Sequence, residues 1–331
     1  MAFLNPAKIQ KILVISLSNI GDVILTFPVL DILREDFPKA QISIVVGPKA
    51  ESLLKYNPHF QHVFVFNKHQ PFFKTMAMIW QLRKEHYDLT VDLRNTVIPL
   101  FLGCRYRTSL WGFKKRDRHM RAKHLNRLKT VYSFLSEPER KYSLFVSDKD
   151  RQYVNELLLQ ELGQDKPFIV LAPGAANGDK RWTSEGFQNI GDHLIKVNGM
   201  NIIFVGDEKD REITQNIQKK MTGPGVNLCG RLTLPQLGEL FRKASLVISN
   251  DSAPMHLASY LNRPVLAIFG PSDPRQYGPW SAKSYFIRKN QTCPKCSDHR
   301  WDGRHTCMAA IQSEDILKVL NFNLQEFVSQ E

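Results

Sequence analysis

Three short stretches place residues capable of chemistry at the ends of apolar runs. The first is Ser18-Asn19-Ile20-Gly21-Asp22, which follows the β-branched and leucine run Lys11–Leu17. A carboxylate at such a turn can cap the following helix and meet its positive end. It can equally be a general base, provided that an ionised Asp22 comes within hydrogen-bond reach of a hydroxyl. Gly21 lets backbone and ligand approach closely.

The second stretch is Pro173-Gly174-Ala175-Ala-Asn-Gly-Asp179, continued by Lys180-Arg181-Trp182. Two cations where a glycine loop enters a helix suit a diphosphate. Without an anion, the helix macrodipole disfavours them there. The third is Ser249-Asn250-Asp251-Ser252-Ala253-Pro254-Met255-His256. Asp251 or Ser252 can be an N-cap, and Pro254 fits a first helical turn. Capping accounts for Ser252 and Pro254. It accounts less well for Asn250, Asp251 and His256 at the same strand end, which points to a ligand.

Two weaker signals lie further on. Gly270-Pro-Ser-Asp-Pro274 reads as a turn. Cys293, Cys296 and Cys307, with His305 or His299, could form a tetrahedral Cys3His zinc site. One C-x-x-C is missing from that pattern, so the segment also reads as a loop of thiols that bind no metal. Cys104 and Cys229 read as core residues. Neither glycine loop matches G-x-G-x-x-G, and no P-loop signature is present. A dinucleotide oxidoreductase and a P-loop NTPase are therefore disfavoured.

The elements that must hold these residues alternate. Strands are expected at 11–17, 41–47, 62–66 and 89–93, with helices at 23–35, 48–56 and 72–86. A helix at 148–162 precedes the polar stretch 163–166, where the linker is placed. The pattern then restarts with strands at 167–172, 201–205, 246–248 and 265–269. Helices are expected at 183–197, 208–220, 235–243 and 253–261. This alternation predicts an α/β fold of two Rossmann-like domains, 1–163 and 167–331, with parallel sheets facing across a cleft. The last helix could pack back on the first domain. A length of 331 residues suits two domains.

Charge separates the halves. The chain carries a net charge of +13. Residues 1–150 hold 24 Lys and Arg against 13 Asp and Glu, whereas residues 151–331 hold 21 against 19. Between Arg105 and Lys129 lie ten cations, with Asp117 the only acid. Such a surface attracts nucleic acid, phosphorylated lipid or an acidic membrane face. No apolar run reaches the roughly 18–20 residues that span a bilayer. The first residues also lack the apolar core of a signal peptide. A cytoplasmic protein is expected, with peripheral contact at the inner membrane surface.

Taken together, Leu17-Ser-Asn-Ile-Gly-Asp-Val23, Thr26-Phe-Pro-Val-Leu30, Pro173-Gly-Ala175, Lys180-Arg-Trp182, Ser249–His256 and Phe269–Pro274 resemble glycosyltransferase family 9, the ADP-heptose:lipopolysaccharide heptosyltransferases. The resemblance spans nearly the whole chain. It implies a GT-B architecture and inverting transfer of heptose from an ADP-sugar without a required cofactor. The acceptor domain would be N-terminal and the nucleotide domain C-terminal. Asp22 would be the catalytic base. The donor would meet Gly174, Ala175, Lys180, Arg181, Asp251, Ser252, Ala253, Met255 and His256. An anionic lipopolysaccharide precursor would meet Asn19, Gly21, Arg107, Lys114, Lys115 and Arg116. A monomer suffices, and nucleic acid is not an expected partner. Two enzyme readings compete: a GT-B transferase using another nucleotide sugar, and a nucleotide-sugar epimerase. A nucleic-acid-binding protein would use the 105–129 stretch but leaves the glycine loops unexplained.

Overall fold

The computed structural model describes residues 4, 6–67, 69–109, 118–163, 166–289, 293 and 306–328. The chain divides into two units, Met1–Phe145 and Val146–Glu331.

The first unit runs β1 (Lys11–Ile15), α1 (Ile20–Ile24), α2 (Phe27–Asp36), β2 (Gln41–Val46), α3 (Glu51–Leu54), β3 (His62–Val65), α4 (Phe72–Lys84), β4 (Leu89–Asp92), α5 (Ile98–Phe101), β5 (Tyr106–Arg107) and α6 (Met120–Lys129). Its sheet has the order β3-β2-β1-β4-β5, and every pair is parallel. After Lys11, β1 is apolar throughout, and β4 is fully buried although Thr90 and Asp92 are polar, because helices cover both faces of the sheet. The single helix expected at 23–35 is instead two. Pro28 has no N–H to continue the α1 ladder, so the chain breaks at Leu25–Thr26 and restarts as α2.

The second unit runs α7 (Asp148–Leu162), β6 (Phe168–Ala172), α8 (Ser184–Asn198), β7 (Asn201–Phe204), α9 (Arg211–Gln218), β8 (Gly225–Asn227), α10 (Leu234–Lys243), β9 (Leu246–Asn250), α11 (Ala253–Tyr260), β10 (Val265–Phe269), α12 (Pro274–Tyr277), β11 (Ser284–Arg288) and a closing helix, Ser313–Val328. The sheet order is β11-β10-β9-β6-β7-β8, again parallel throughout. Among the described residues, no helix is long and apolar enough to cross a membrane.

The boundary lies earlier than the glycine at 163 suggests. Gly163 is the left-handed C-cap of α7, at φ +73°, and not a linker. Residues 142–143 are strapped to the first unit. The Ser143 N–H and hydroxyl donate to the buried Asp31 carboxylate at 2.8 and 2.7 Å, and Asn57 Nδ2 donates to the Tyr142 carbonyl at 2.9 Å. Ser147 then opens α7 with a capping box. α7 is held in the second unit, where Gln236 donates to Asp150 at 3.0 Å and Arg231 pairs with Glu161 at 2.6 Å. In the first turns of the closing helix, Ile316 and Leu320 enter the core of the second unit with Phe187 and Leu194.

α6 carries a buried His124. Burial, reinforced by Arg127, Lys123 and His119, pushes its imidazole down to about 4. The folded state accepts only the neutral ring, whereas the unfolded chain protonates near 6.5. This contribution to stability is therefore complete above pH 6.5 and is lost as pH falls towards 4. Wild type should lose on the order of 2 kcal/mol more than His124→Leu between pH 7 and pH 5, measured by urea unfolding. Equal losses would show that His124 does not set this acid sensitivity.

Candidate active site

In each sheet, the chain reverses its strand order beside the first strand of the unit. In the first unit the switch falls between β1 and β4, and in the second between β6 and β9. Loops leaving the carboxyl ends of such strands form the ligand crevice of open α/β sheets.

After β1, Asn19 is the N-cap of α1, in extended conformation and without a side-chain cap bond. Asp22 is therefore not the cap. It lies in the first turn, half-buried, and Asn19 Nδ2 donates to its Oδ2 at 3.0 Å. Asn19, Gly21 and Asp22 are thus brought together. The loop is pressed against the next strand end: a Cβ at Gly47 would lie 2.5 Å from Ser18 Cα. That contact fixes the path of the chain into α1.

In the sequence, the loop after β4 shows only as a strand end, yet it carries a connected set of hydrogen bonds around Asp92. The Asp92 carboxylate is buried and accepts from the N–H groups of Arg94 and Thr96 at 2.8 and 2.6 Å, and from the Thr96 hydroxyl at 2.9 Å. Asn95 takes a positive φ of 60°. Arg127 Nε donates to the Asp92 carbonyl, and its Nη2 donates to Asn95 Oδ1 at 2.9 Å. Burial pulls the Arg127 guanidinium below its ordinary value, although Asp92 opposes this. The sequence signal was Asp92-Leu-Arg-Asn-Thr96, a carboxylate followed by turn formers.

The basic stretch divides by role. Arg127 is an internal brace, and Arg121 pairs with Glu137. Lys129 lies over the Phe134 ring at 4.9 Å, and Arg105 over Tyr106 at 5.4 Å. Arg107 is exposed on the edge strand β5, with β4 between it and β1. Lys114, Lys115 and Arg116 lie outside the described residues.

In the second unit, the loops after β6 and β9 meet because Ala172 and Ser249 are paired. Lys180 Nζ reaches Asp251 Oδ2 at 2.7 Å, and the Asp251 side chain is only 5% exposed. Asn250, suspected of touching ligand, is fully buried and acts as a clamp. It accepts from the Trp182 N–H at 3.0 Å and donates to the Pro173 carbonyl at 2.8 Å, so it ties the two ends of the glycine loop. Arg181 donates to the Ala175 carbonyl at 3.0 Å and lies 3.8 Å from Asp210. The space beside Gly174 is filled from within the protein: a Cβ there would sit 2.1 Å from the Asp210 carboxylate. Burial raises the Asp210 carboxyl above its usual range. The sequence reading missed Asp210, although Gly206-Asp-Glu-Lys-Asp210 after β7 carries a capping-box spacing.

α11 starts at this crevice. Ser252 is its N-cap in extended conformation, and its side chain makes no cap bond to the helix. Instead Ser252 lies 3.1 Å from the Ser249 hydroxyl. The first N–H groups of a helix have no intrahelical partners and carry the positive end of its dipole. Ala253 is half-buried at this end. The side chains of Met255 and His256 are buried, and the His256 ring stacks on Trp280 at 5.8 Å. Gly270–Pro274 leads into α12, where Asp273 accepts from the Arg275 N–H at 3.0 Å.

Cys293 and Cys307 are buried, while Cys296 and His305 of the zinc reading lie outside the described residues. No group of three His, Cys, Asp or Glu side chains that could hold a metal ion is gathered among the described residues.

Two parallel, doubly wound units with polar loops at both switch points fit the GT-B type of glycosyltransferase. The particular family follows from sequence. Residues 75–302 match glycosyltransferase family 9 (heptosyltransferase), and the chain belongs to that family. It is 26% identical over 326 residues to lipopolysaccharide heptosyltransferase 3 of Escherichia coli K12, covering 90% of this chain and 93% of the relative. It is 25% identical over 348 residues to lipooligosaccharide heptosyltransferase 2 of Haemophilus influenzae, covering 94% and 99%. The solved structure of E. coli ADP-heptose lps heptosyltransferase II matches with a TM-score of 0.76 at 25% identity, covering 96% of this chain and 99% of that one. A family 9 glycosyl transferase from Veillonella parvula shares the fold, with a TM-score of 0.78 at 22% identity and coverage of 96% and 97%.

Proposed function

We propose that this protein transfers heptose from ADP-heptose to the inner core of a lipopolysaccharide precursor, with inversion at the anomeric carbon. The observation that carries the donor side is the Lys180–Asp251 pair beside the start of α11, at the switch point of the second sheet. In this reading, Lys180 and the backbone N–H groups of Ser252, Ala253 and Met255 neutralise the ADP diphosphate. Arg181 and the backbone at Gly174–Ala175 border the nucleotide, and Asp251 holds sugar hydroxyls.

On the acceptor side, Asp22 takes the proton from a sugar hydroxyl as that oxygen attacks the anomeric carbon. The bond from that carbon to the diphosphate oxygen breaks, and ADP leaves with the electron pair. Lys180 stabilises the charge that develops on it. Asn19 orients Asp22, consistent with the 3.0 Å bond between them. Gly21 gives the acceptor close access. Arg107 and the segment with Lys114, Lys115 and Arg116 attract the anionic acceptor. The protein works as a monomer on the cytoplasmic face of the inner membrane, needs no cofactor and has no nucleic-acid partner.

Thermal unfolding with ADP, UDP, GDP, CMP and NAD tests the donor. ADP at 100 times its Kd should stabilise the fold by about 2.7 kcal/mol, and the others should not. A shift with UDP or GDP instead would keep the glycosyltransferase and remove ADP-heptose as donor.

A further inference from the structure

Among the described residues, thirteen large apolar side chains are exposed, and six of them come from α4 and residues 97–101. Phe72, Phe73 and Trp80 of α4 are 78%, 67% and 62% exposed, and Val97 is 60% exposed. Leu100 and Phe101 are about half exposed. Phe73, Ala77, Trp80 and Lys84 follow one another at helical spacing, so α4 carries an aromatic stripe on its solvent side as well as a buried one. α5 is fixed beside it, because Arg83 Nη1 donates to the Phe101 carbonyl at 2.9 Å. Between the two helices opens a cavity of about 660 Å3, walled by Phe66, Phe72, Met76, Val97 and Phe101. Arg94 lines it too, with its guanidinium 5.2 Å over the Phe66 ring.

The charge around this patch has one sign. From Phe66 to Lys84 and from Arg94 to Arg107 there are seven Lys or Arg and no Asp or Glu. Lys74, Arg83, Lys84, Arg105 and Arg107 are exposed. Folding tolerates single exposed apolar residues, but a contiguous aromatic patch signals an interaction surface. Aromatic rings projecting from a helix with a cationic rim match the boundary between acyl chains and anionic headgroups. A second copy of the chain is the poorer occupant, since a symmetric pair would bring two cationic rims together.

We propose that α4 and residues 97–101 form the surface by which the protein docks on an anionic lipid bilayer. Phe72, Phe73 and Trp80 enter the headgroup layer, and Lys74, Lys84 and Arg105 meet its phosphates. This deepens the proposed function, which needs an acceptor anchored in a membrane. The test below contains no sugar, so its failure would leave the transfer reading standing.

Flotation would be measured with phosphatidylcholine vesicles and with phosphatidylethanolamine vesicles in which about one lipid in four is phosphatidylglycerol. Wild type should float with the anionic vesicles and, at low salt, only weakly with the neutral ones. Phe72→Ser/Phe73→Ser/Trp80→Ser should lower the partition coefficient at least about tenfold. Lys74→Gln/Lys84→Gln should reduce it severalfold and flatten its salt dependence. Brominated lipid should quench tryptophan fluorescence in wild type and not in Trp80→Phe, a readout that survives even if the triple variant folds poorly. Equal partition of wild type and variants, absence of binding, or unchanged quenching in Trp80→Phe would overturn the proposal. So would a wild-type dimer that the triple variant dissolves in sedimentation, which would make the face an interface between copies.

Discussion

Asp22→Asn should lower kcat for heptose transfer by about 10²–10⁴-fold while leaving donor affinity nearly unchanged. General-base catalysis contributes that much when the base is in place. The substitution preserves shape, and its new amide oxygen can still accept from Asn19. What it removes is the ability to take a proton. The competing role for Asp22 is electrostatic support of a helix start, because the carboxylate lies in the first turn of α1. That support is worth only about 0.3–1 kcal/mol and acts on stability. A steady-state assay beside a urea titration separates the two. A rate loss below tenfold, with stability down by about 1 kcal/mol, would reduce Asp22 to the helix-supporting role. Donor affinity is the internal control, since the proposed diphosphate site belongs to the second unit. Parallel loss of ADP binding would indicate a disturbed protein and not a missing base.

The parts legible in the sequence were those fixed by local rules. β1 and β6 announced themselves as continuous apolar runs because strands buried on both faces leave no polar positions. The loops ending in Asp22, Lys180 and Asp251 stood out because glycine and charge interrupt those runs. Less visible was anything set by partners distant in the chain. Asn250 looked like a ligand contact beside Asp251, but its amide closes the loop from Pro173 to Trp182, some 70 residues earlier. Arg127 looked like one more surface cation, yet it is buried against the loop after β4. Nothing in the sequence around Gly174 shows that the space a side chain would take there is filled by Asp210. The boundary failed for a similar reason. A glycine at a helix end and a glycine in a linker look alike until α7 is seen against α10. Short strands such as β5, two residues long, carry too few side chains for any period to show.

Lys180 supports the second large effect, and its pairing with Asp251 makes the experiment informative. Lys180→Met should reduce kcat/KM for the donor by about 10²–10³-fold, the usual cost of removing one preorganised charge from a developing anion. It should also destabilise the protein, because it strands the Asp251 carboxylate, which has 5% of its side chain exposed. Breaking one half of a buried pair costs about 3–5 kcal/mol, and the lysine side chain, 27% exposed, places the expectation at the lower end. A low rate alone could therefore mean a poorly folded site. The double variant Lys180→Met/Asp251→Asn resolves this. It removes both charges, so stability should recover towards wild type, as measured by urea unfolding. Activity should not recover, because neither the cation for the diphosphate nor the carboxylate for the sugar is restored. Recovery of both would make the pair a structural strut and move the diphosphate site elsewhere. Recovery of stability alone is the outcome that a catalytic lysine requires, and the ADP-induced thermal shift should be weakened in both variants. The pair then has two uses in one geometry: before the donor arrives, Asp251 holds Lys180 at the mouth of α11, and the arriving diphosphate competes with Asp251 for the same ammonium.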